Sequence, residues 1–367
     1  MVTLAMHMAN ELLTPAVAAV TLVAAAVIVA VASMRAAKML SSQNAPLMGV
    51  MGAFVFAAQM INFTLPGMPG TSGHLGGGVL LAILLGPAAG IVTITGILIV
   101  QCLLFQDGGL LALGCNIVNM GVVPCLLGWG LYRLLLGRAA APRAWRQYLA
   151  AWAACTVGVA GGAALVPVEA GVSGVLRVPL ADFLQVMVGV HLLIGLVEGA
   201  ITFAVLAYLR RVRPNAVGVV LPVASPDKVG AKAVLGSLVA TALLLSGIVS
   251  WFASTHPDGL EWAYQEHLAG GGRTVVDNPS PAVAAVDEWQ AKWSPMSDYT
   301  KRSAPLGQQP GATEGPQPDK GAWPNVDGWG SLAGVVGTLI TAAVLYIPAR
   351  LIRRRHAAAA ATTAVKT

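Results

Sequence analysis

The sequence predicts an all-α integral membrane protein, and three observations carry that prediction. Of 367 residues, 56% are apolar and only 10% are charged, against roughly 25% charged in an average soluble domain. Apolar runs of about 20 residues recur along the chain, each long enough at 1.5 Å per residue to cross roughly 30 Å of hydrocarbon. These runs are continuous and do not alternate over ten residues, which selects helices over a β-barrel. The net charge of +6 arises largely from short Lys/Arg clusters at the ends of apolar runs, so it reads as membrane topology and not as nucleic-acid binding. Cys102, Cys115, Cys125 and Cys155 all lie in apolar segments with no Cys-x-x-Cys pair, the pattern of packed helix residues.

Each element follows in order. The first run, residues 12–33, has nothing basic before it and Arg35 and Lys38 behind it, so it reads as a span with an outside amino terminus and not as a secretory signal. The positive-inside rule places Arg35/Lys38, Arg133/Arg138/Arg143/Arg146, Arg210/Arg211/Arg213 and Arg350/Arg353/Arg354/Arg355 in the cytoplasm. A second helix over 46–65 then runs outward and leaves His74 outside, while a helix over 110–136 runs inward to Arg133. Residues 75–105 must therefore enter and return within about 30 positions, too few for two spans of about 20 each. Gly86-Pro87 interrupts the stretch, and proline cannot continue a helical ladder. Two half-helices are expected, 74–85 and 88–105, of the kind tolerated where they line a protected site. Helices over 148–168 and 183–209 complete a bundle of about seven, with the third and fourth broken. Beyond it come a helix over 233–252, a polar extracytoplasmic loop over 254–330 and a helix over 331–349 that returns to the terminal arginines. The expected organisation is a membrane domain over 1–213, a cytoplasmic linker over 214–231, a two-helix hairpin unit over 232–355 and a flexible tail over 356–367, with the carboxyl terminus inside.

The candidate chemistry centres on His74, in the glycine-rich break Gly70-Thr71-Ser72-Gly73-His74-Leu75-Gly76-Gly77-Gly78. Its best partner is His7, which a chain end folding back can place beside it. Two imidazoles brought together this way suggest a transition metal. A free α-amine at Met6, the His7 amide and the His7 side chain can wrap one ion in fused rings, with His74 as a fourth nitrogen; planar nitrogen coordination suits Ni(II) or Cu(II). The bland alternative is a solvated His7 and a His74 held by a backbone carbonyl. The glycine-rich stretch lacks the lysine and strand-turn-helix setting of a phosphate loop, and the sequence holds no ATPase motif.

Several ordered motifs resemble one family: Met6-His7-Met8-Ala9-Asn10-Glu11-Leu12-Leu13-Thr14-Pro15; Gly73 to Gly78 with Leu84-Leu85-Gly86-Pro87; the run from Leu103 through Gln106-Asp107-Gly108-Gly109 and Asn116 to Gly121; and His191 to Thr202. Residues 6–210 thus resemble the CbiM/NikM family, the substrate-binding (S) components of energy-coupling factor transporters for nickel or cobalt. Ser254-Thr255-His256-Pro257-Asp258-Gly259-Leu260-Glu261-Trp262 is similar to the PDGLE motif of the small CbiN/NikN component, so the chain looks like a fusion of the two. The resemblance implies that the nitrogens of Met6 and His7, with the imidazoles of His7 and His74, bind Ni(II) or Co(II) as transported substrate. It implies no catalytic cofactor, ATP hydrolysis by partner subunits and a coupling membrane subunit. The sequence begins at Met1, five residues earlier, where an amine at Met6 is tied up in a peptide bond; either the chain starts at Met6, the favoured expectation, or the site uses fewer terminal nitrogens.

Ser72, Asn116, Asn119 and His191 are candidates to orient the imidazoles, which need a partner on the second ring nitrogen. Glu198 lies two turns from His191 on one helix face, and an intramembrane carboxylate is a functional candidate. His256, Pro257, Asp258, Gly259, Leu260 and Glu261 are read as partner-docking or loop structure in preference to metal ligands. Two competing functions remain: a self-sufficient secondary metal transporter or channel, and an intramembrane serine protease using Ser72 in Gly70-Thr71-Ser72-Gly73 with His191 as base.

Overall fold

The structure, a computed structural model, describes residues 7–39, 44–137, 142–212, 229–270, 275–299 and 323–364. The bulk of the linker expected over 214–231 lies outside them, as does Met6. The main helices of the described chain are α1 Pro15–Met39, α2 Asn44–Gln59, α3 Gly78–Leu85, α4 Pro87–Phe105, α5 Leu113–Leu136, α6 Ala144–Ser173, α7 Leu180–Val212, α8 Ala231–Gly247, α9 Pro281–Trp293 and α10 Gly328–Ala364, with shorter helical turns between them, among them Gly259–Glu261 continuing into Trp262–His267. Among the described residues six helices are long and apolar enough to cross a membrane. The protein is a multi-pass all-α membrane protein, as its composition requires.

The break at Gly86-Pro87 falls where expected, and its cause is visible. Gly86 adopts φ 85°, ψ 155°, which only glycine reaches without cost. Pro87 then opens α4 at a first-turn position where its missing N–H is not needed. α3 has just 8 residues, all buried. The second segment matches the expected 88–105 to within one residue, but at 19 residues α4 is long enough for a full span and is not a half-helix. Its last turn widens into π-type hydrogen bonding over Gln101–Phe105, and that adjustment keeps the ladder continuous where a capped half-helix was expected.

α6 lies along α7, α1 against α4 and α5, and both long helices of the second unit, α8 and α10, lean on α2. Close approach of α7 to α6 depends on small residues: a Cβ on Gly195 would meet the Thr156 backbone and one on Gly199 would meet Trp152. Without a hydrophobic drive in lipid, such backbone contact is what holds membrane helices together.

The segment between α8 and α10 folds back over the first unit. Arg177 N–H donates to Val275 O at 2.8 Å and Asp277 N–H to Val175 O at 2.8 Å. Two short strands, β1 Phe63–Thr64 and β2 Ser72–Gly73, pair antiparallel, and Asp258 bridges Ser72 in parallel. The helix α9 within this segment was not expected from the sequence.

Candidate functional site

The amino-terminal segment enters the bundle ahead of α1 because its apolar residues require burial. Met8, Leu12 and Leu13 are at most 2% exposed and pack with Ala112, Cys115, Phe183 and Met187. Its backbone is then tied on both sides. Asn116 accepts from Met8 N–H at 3.0 Å and donates to Met8 O at 3.2 Å, while Gly109 N–H donates to the same oxygen at 3.0 Å. Asn10 Oδ1 accepts from Leu111 N–H at 2.7 Å and from Ala112 N–H at 3.3 Å. Gly108, at φ 89°, lets the loop close in; a Cβ there would stand 2.9 Å from His7 Cβ.

This seating fixes His7. It is buried, Nδ1 is 2.7 Å from Asp107 Oδ1, and the buried Nε2 has no hydrogen-bond partner among the described residues. Burial alone pushes the His7 pKa down, but the Asp107 carboxylate reverses this and holds it above the ordinary value. Burial likewise pushes Asp107 up, and the imidazolium beside it, with the Tyr299 hydroxyl, brings it below the usual carboxylate range. Tyr299 donates to Asp107 Oδ2 at 2.8 Å, so a residue of the second unit backs the carboxylate that holds His7.

His74 faces His7 with ring centroids 5.6 Å apart at 65°. Its Nδ1 is 3.2 Å from Leu75 O, a carbonyl that can only accept, which makes Nδ1 the donor and leaves Nε2 as the ring's other nitrogen. That nitrogen stands 3.8 Å from Asp258 Oδ2. Asp258 also caps the short turn that follows it, accepting from Leu260 and Glu261 N–H at 2.9 and 2.8 Å. Burial pushes Asp258 up to about 7, and burial with the Asp258 charge pushes Glu261 up to about 8.

Beneath the imidazoles lies a cavity of about 90 Å³, lined among others by Asn116, Asn119, Met187, His191 and Glu198. The orienting partner of His7 is Asp107, which is not among the four candidates named for that task from the sequence. Asn116 holds the Met8 backbone instead, and Asn119 donates to Glu169 Oε2 at 2.8 Å. Ser72 donates its hydroxyl to the carbonyls of His256 and Pro257 at 2.8 and 3.1 Å, and His191 Nδ1–H donates to Met187 O at 2.8 Å. No hydrogen bond joins Ser72 to His191 among those the described residues form; the Ser72 hydroxyl is bonded to main-chain carbonyls instead. The sequence did carry a signal for Asp107: it is the single acid in the turn between two apolar spans.

Glu198 reaches the site through the backbone. Its Oε2 accepts from Gly76 N–H at 2.7 Å and its Oε1 from Gly77 N–H at 3.1 Å, anchoring the loop just after His74. Pro257 O accepts from Ser72 N–H at 2.8 Å, so the Pro-Asp-Gly-Leu-Glu segment is seated against the His74 loop. Among the described residues no three His, Cys, Asp or Glu side chains form a ready metal-binding group.

Comparison with known proteins places the chain as a whole. A protein of Haloquadratum walsbyi assigned to metal transport is 37% identical over 212 residues, covering 58% of this chain and 93% of its own. The fused nickel transport protein NikMN of Rhodobacter capsulatus is 29% identical over 335 residues, covering 82% of this chain and 91% of its own. The crystal structure of a truncated transition metal transporter is 32% identical with a TM-score of 0.49, covering 56% of this chain and 98% of that one. These relatives are described as transport proteins. Residues 232–354 match the PDGLE domain, and residues 7–216 match the cobalt uptake substrate-specific transmembrane region; the chain belongs to the CbiM family.

Proposed function

We propose that this chain is the substrate-capturing membrane component of an energy-coupling factor transporter importing Ni(II) or Co(II), with ATP hydrolysis supplied by partner subunits. The observation that carries the reading is the facing pair His7 and His74. Two imidazoles that each place a nitrogen about 2 Å from one ion have centroids about 4.5 to 6.4 Å apart, and the pair here stands at 5.6 Å. Two side chains do not complete a four-coordinate site, so main-chain nitrogens at Met6 and His7 supply the remainder. Closing a chelate ring through the His7 amide requires Nδ1. In the metal-free chain that atom is bonded to Asp107, so loading exchanges the Asp107 hydrogen bond for a metal bond and releases a proton.

The fused nickel transporter of Rhodobacter capsulatus, aligned along 82% of this chain, supports nickel as substrate and supports a single polypeptide that combines both units. The amino terminus and the metal site are extracytoplasmic on this reading, with the carboxyl terminus in the cytoplasm. A coupling membrane subunit and ATPase subunits then drive release inward.

Elemental analysis of purified protein after nickel or cobalt loading tests the site. About one metal per chain is expected in the native protein, and none in His74→Ala. Native metal content in that variant removes His74 from the site. His7→Ala also deprives the buried Asp107 carboxylate of its partner, so His74→Ala is the cleaner variant. Nickel accumulation by vesicles holding this chain alone, without ATPase subunits, would instead favour a self-sufficient transporter.

A further inference from the structure

The helix α9 carries a face that no part of the described chain covers. Val283 and Gln290 point inward and are buried, whereas Trp289 is 51% exposed and Trp293 64% exposed, with ring centroids 6.4 Å apart. Ala282, Val286, Trp289 and Trp293 follow one another at spacings of four, three and four, which places them on one side of a helix. Glu288 and Lys292, both exposed, lie beside that stripe. The helix thus has three sides: one against the protein, one apolar and aromatic, one charged.

Its height relative to the membrane is set by hydrogen bonds to the end of a span. Gln290 donates to Cys102 O at 3.1 Å and Ser294 donates to Leu103 O at 3.1 Å, and Met296 N–H donates to Leu104 O at 3.1 Å. All three acceptors belong to the last turn of the membrane-spanning α4. Leu103, in that same turn, is 44% exposed on the bundle's outer surface. A helix fastened to the last turn of a span sits at the level where hydrocarbon meets water. Tryptophan concentrates there because its ring is apolar while its N–H needs a wet partner, and a helix with one apolar and one charged side lies in that plane.

We propose that α9 is an interfacial helix whose Trp289 and Trp293 dock into the lipid headgroup region, so that the bilayer covers the aromatic face and steadies the loop seating His7. Gln290, on the protein side of the same helix, donates to Gly108 O and accepts from Leu110 N–H, both at 2.9 Å. That contact is the physical link from the lipid surface to the His7 loop.

The test uses the full chain in vesicles of dioleoylphosphatidylcholine and dioleoylphosphatidylglycerol. The four native cysteines are buried, so a nitroxide label goes to an introduced one, Ala282→Cys on the aromatic side or Glu288→Cys on the charged side. Relaxation is read with oxygen, which partitions into lipid, and with chromium oxalate, which stays in water. The expected result is oxygen-dominated relaxation at 282 and chromium-dominated relaxation at 288, with 282 shifting toward chromium oxalate when Trp289→Ser and Trp293→Ser are added. Chromium-dominated relaxation at both positions would overturn the proposal. Exclusion of both reagents from 282 would overturn it too, since a protein surface would then cover the face.

Discussion

Replacing Glu198 by alanine tests whether a residue of α7 holds the His74 loop in its binding geometry. The Glu198 carboxylate is fully buried and accepts from two consecutive main-chain amides, Gly76 at 2.7 Å and Gly77 at 3.1 Å. Hydrogen bonds contribute about 1 kcal/mol each to a neutral acceptor and up to about 3 kcal/mol to a charged one, so roughly 2–6 kcal/mol fixes the chain one residue beyond Leu75. Glu198→Ala leaves both N–H groups buried without an acceptor. The loop keeps other tethers, Gln59 Nε2 donating to Gly76 O at 2.9 Å and Ser72 N–H donating to Pro257 O at 2.8 Å, and therefore shifts without being released. Loss of an outer contact that orients a ligand costs about 10–100-fold in metal affinity, or about 1.4–2.8 kcal/mol, which the two bonds can supply. Nickel titration calorimetry on purified protein reads the effect directly. Glu198→Gln is expected to fall between native and alanine variants, because its amide offers one acceptor and turns a donor toward the second glycine. A folded Glu198→Ala variant that binds nickel with native affinity would refute the anchoring role.

Two further outcomes follow from the seating of His7. Asp107→Asn keeps an acceptor but removes the charge that raises the His7 pKa, so fewer protons should be released per nickel bound near pH 6, with affinity there equal or higher. Calorimetry in buffers of different ionisation enthalpy measures the proton count, and a 10–100-fold loss of affinity would instead mean that Asp107 orients a ligating Nε2. The metal-free pair also makes stability depend on pH. His7 is raised above 6.5 and Asp107 is lowered below 3.8. Their contribution is therefore complete between those values, fading as pH rises through the raised His7 pKa and as it falls through the lowered Asp107 pKa. Gln290→Ala removes one acceptor and two donor contacts to the main chain of residues 102–110. At about 1 kcal/mol per neutral bond, roughly 3 kcal/mol of local stability is lost, and amide exchange of Gly109 and Leu110 should quicken while that of α6 is unchanged.

The sequence by itself determined the membrane helices and the break at Gly86-Pro87, though not α9. Long apolar runs have one stable form in lipid, an internally hydrogen-bonded helix, and Gly86-Pro87 stops a helix through local geometry that no neighbour can undo. The pairing of His7 with His74 was also legible, because both flank apolar runs whose ends the basic clusters place on one side. What only the tertiary structure decided is which polar groups meet. Asp107 lies 100 residues from His7 and Gln290 lies 180 from Leu110, and Ser72, Asn116 and Asn119 are each taken by carbonyls, amides or a carboxylate that no spacing rule selects, whereas His191 takes the carbonyl four residues back on its own helix. Hydrophobic burial is read locally from each segment, whereas a buried donor or acceptor takes whichever partner the packed helices bring within about 3 Å, and that choice exists only once the bundle is assembled.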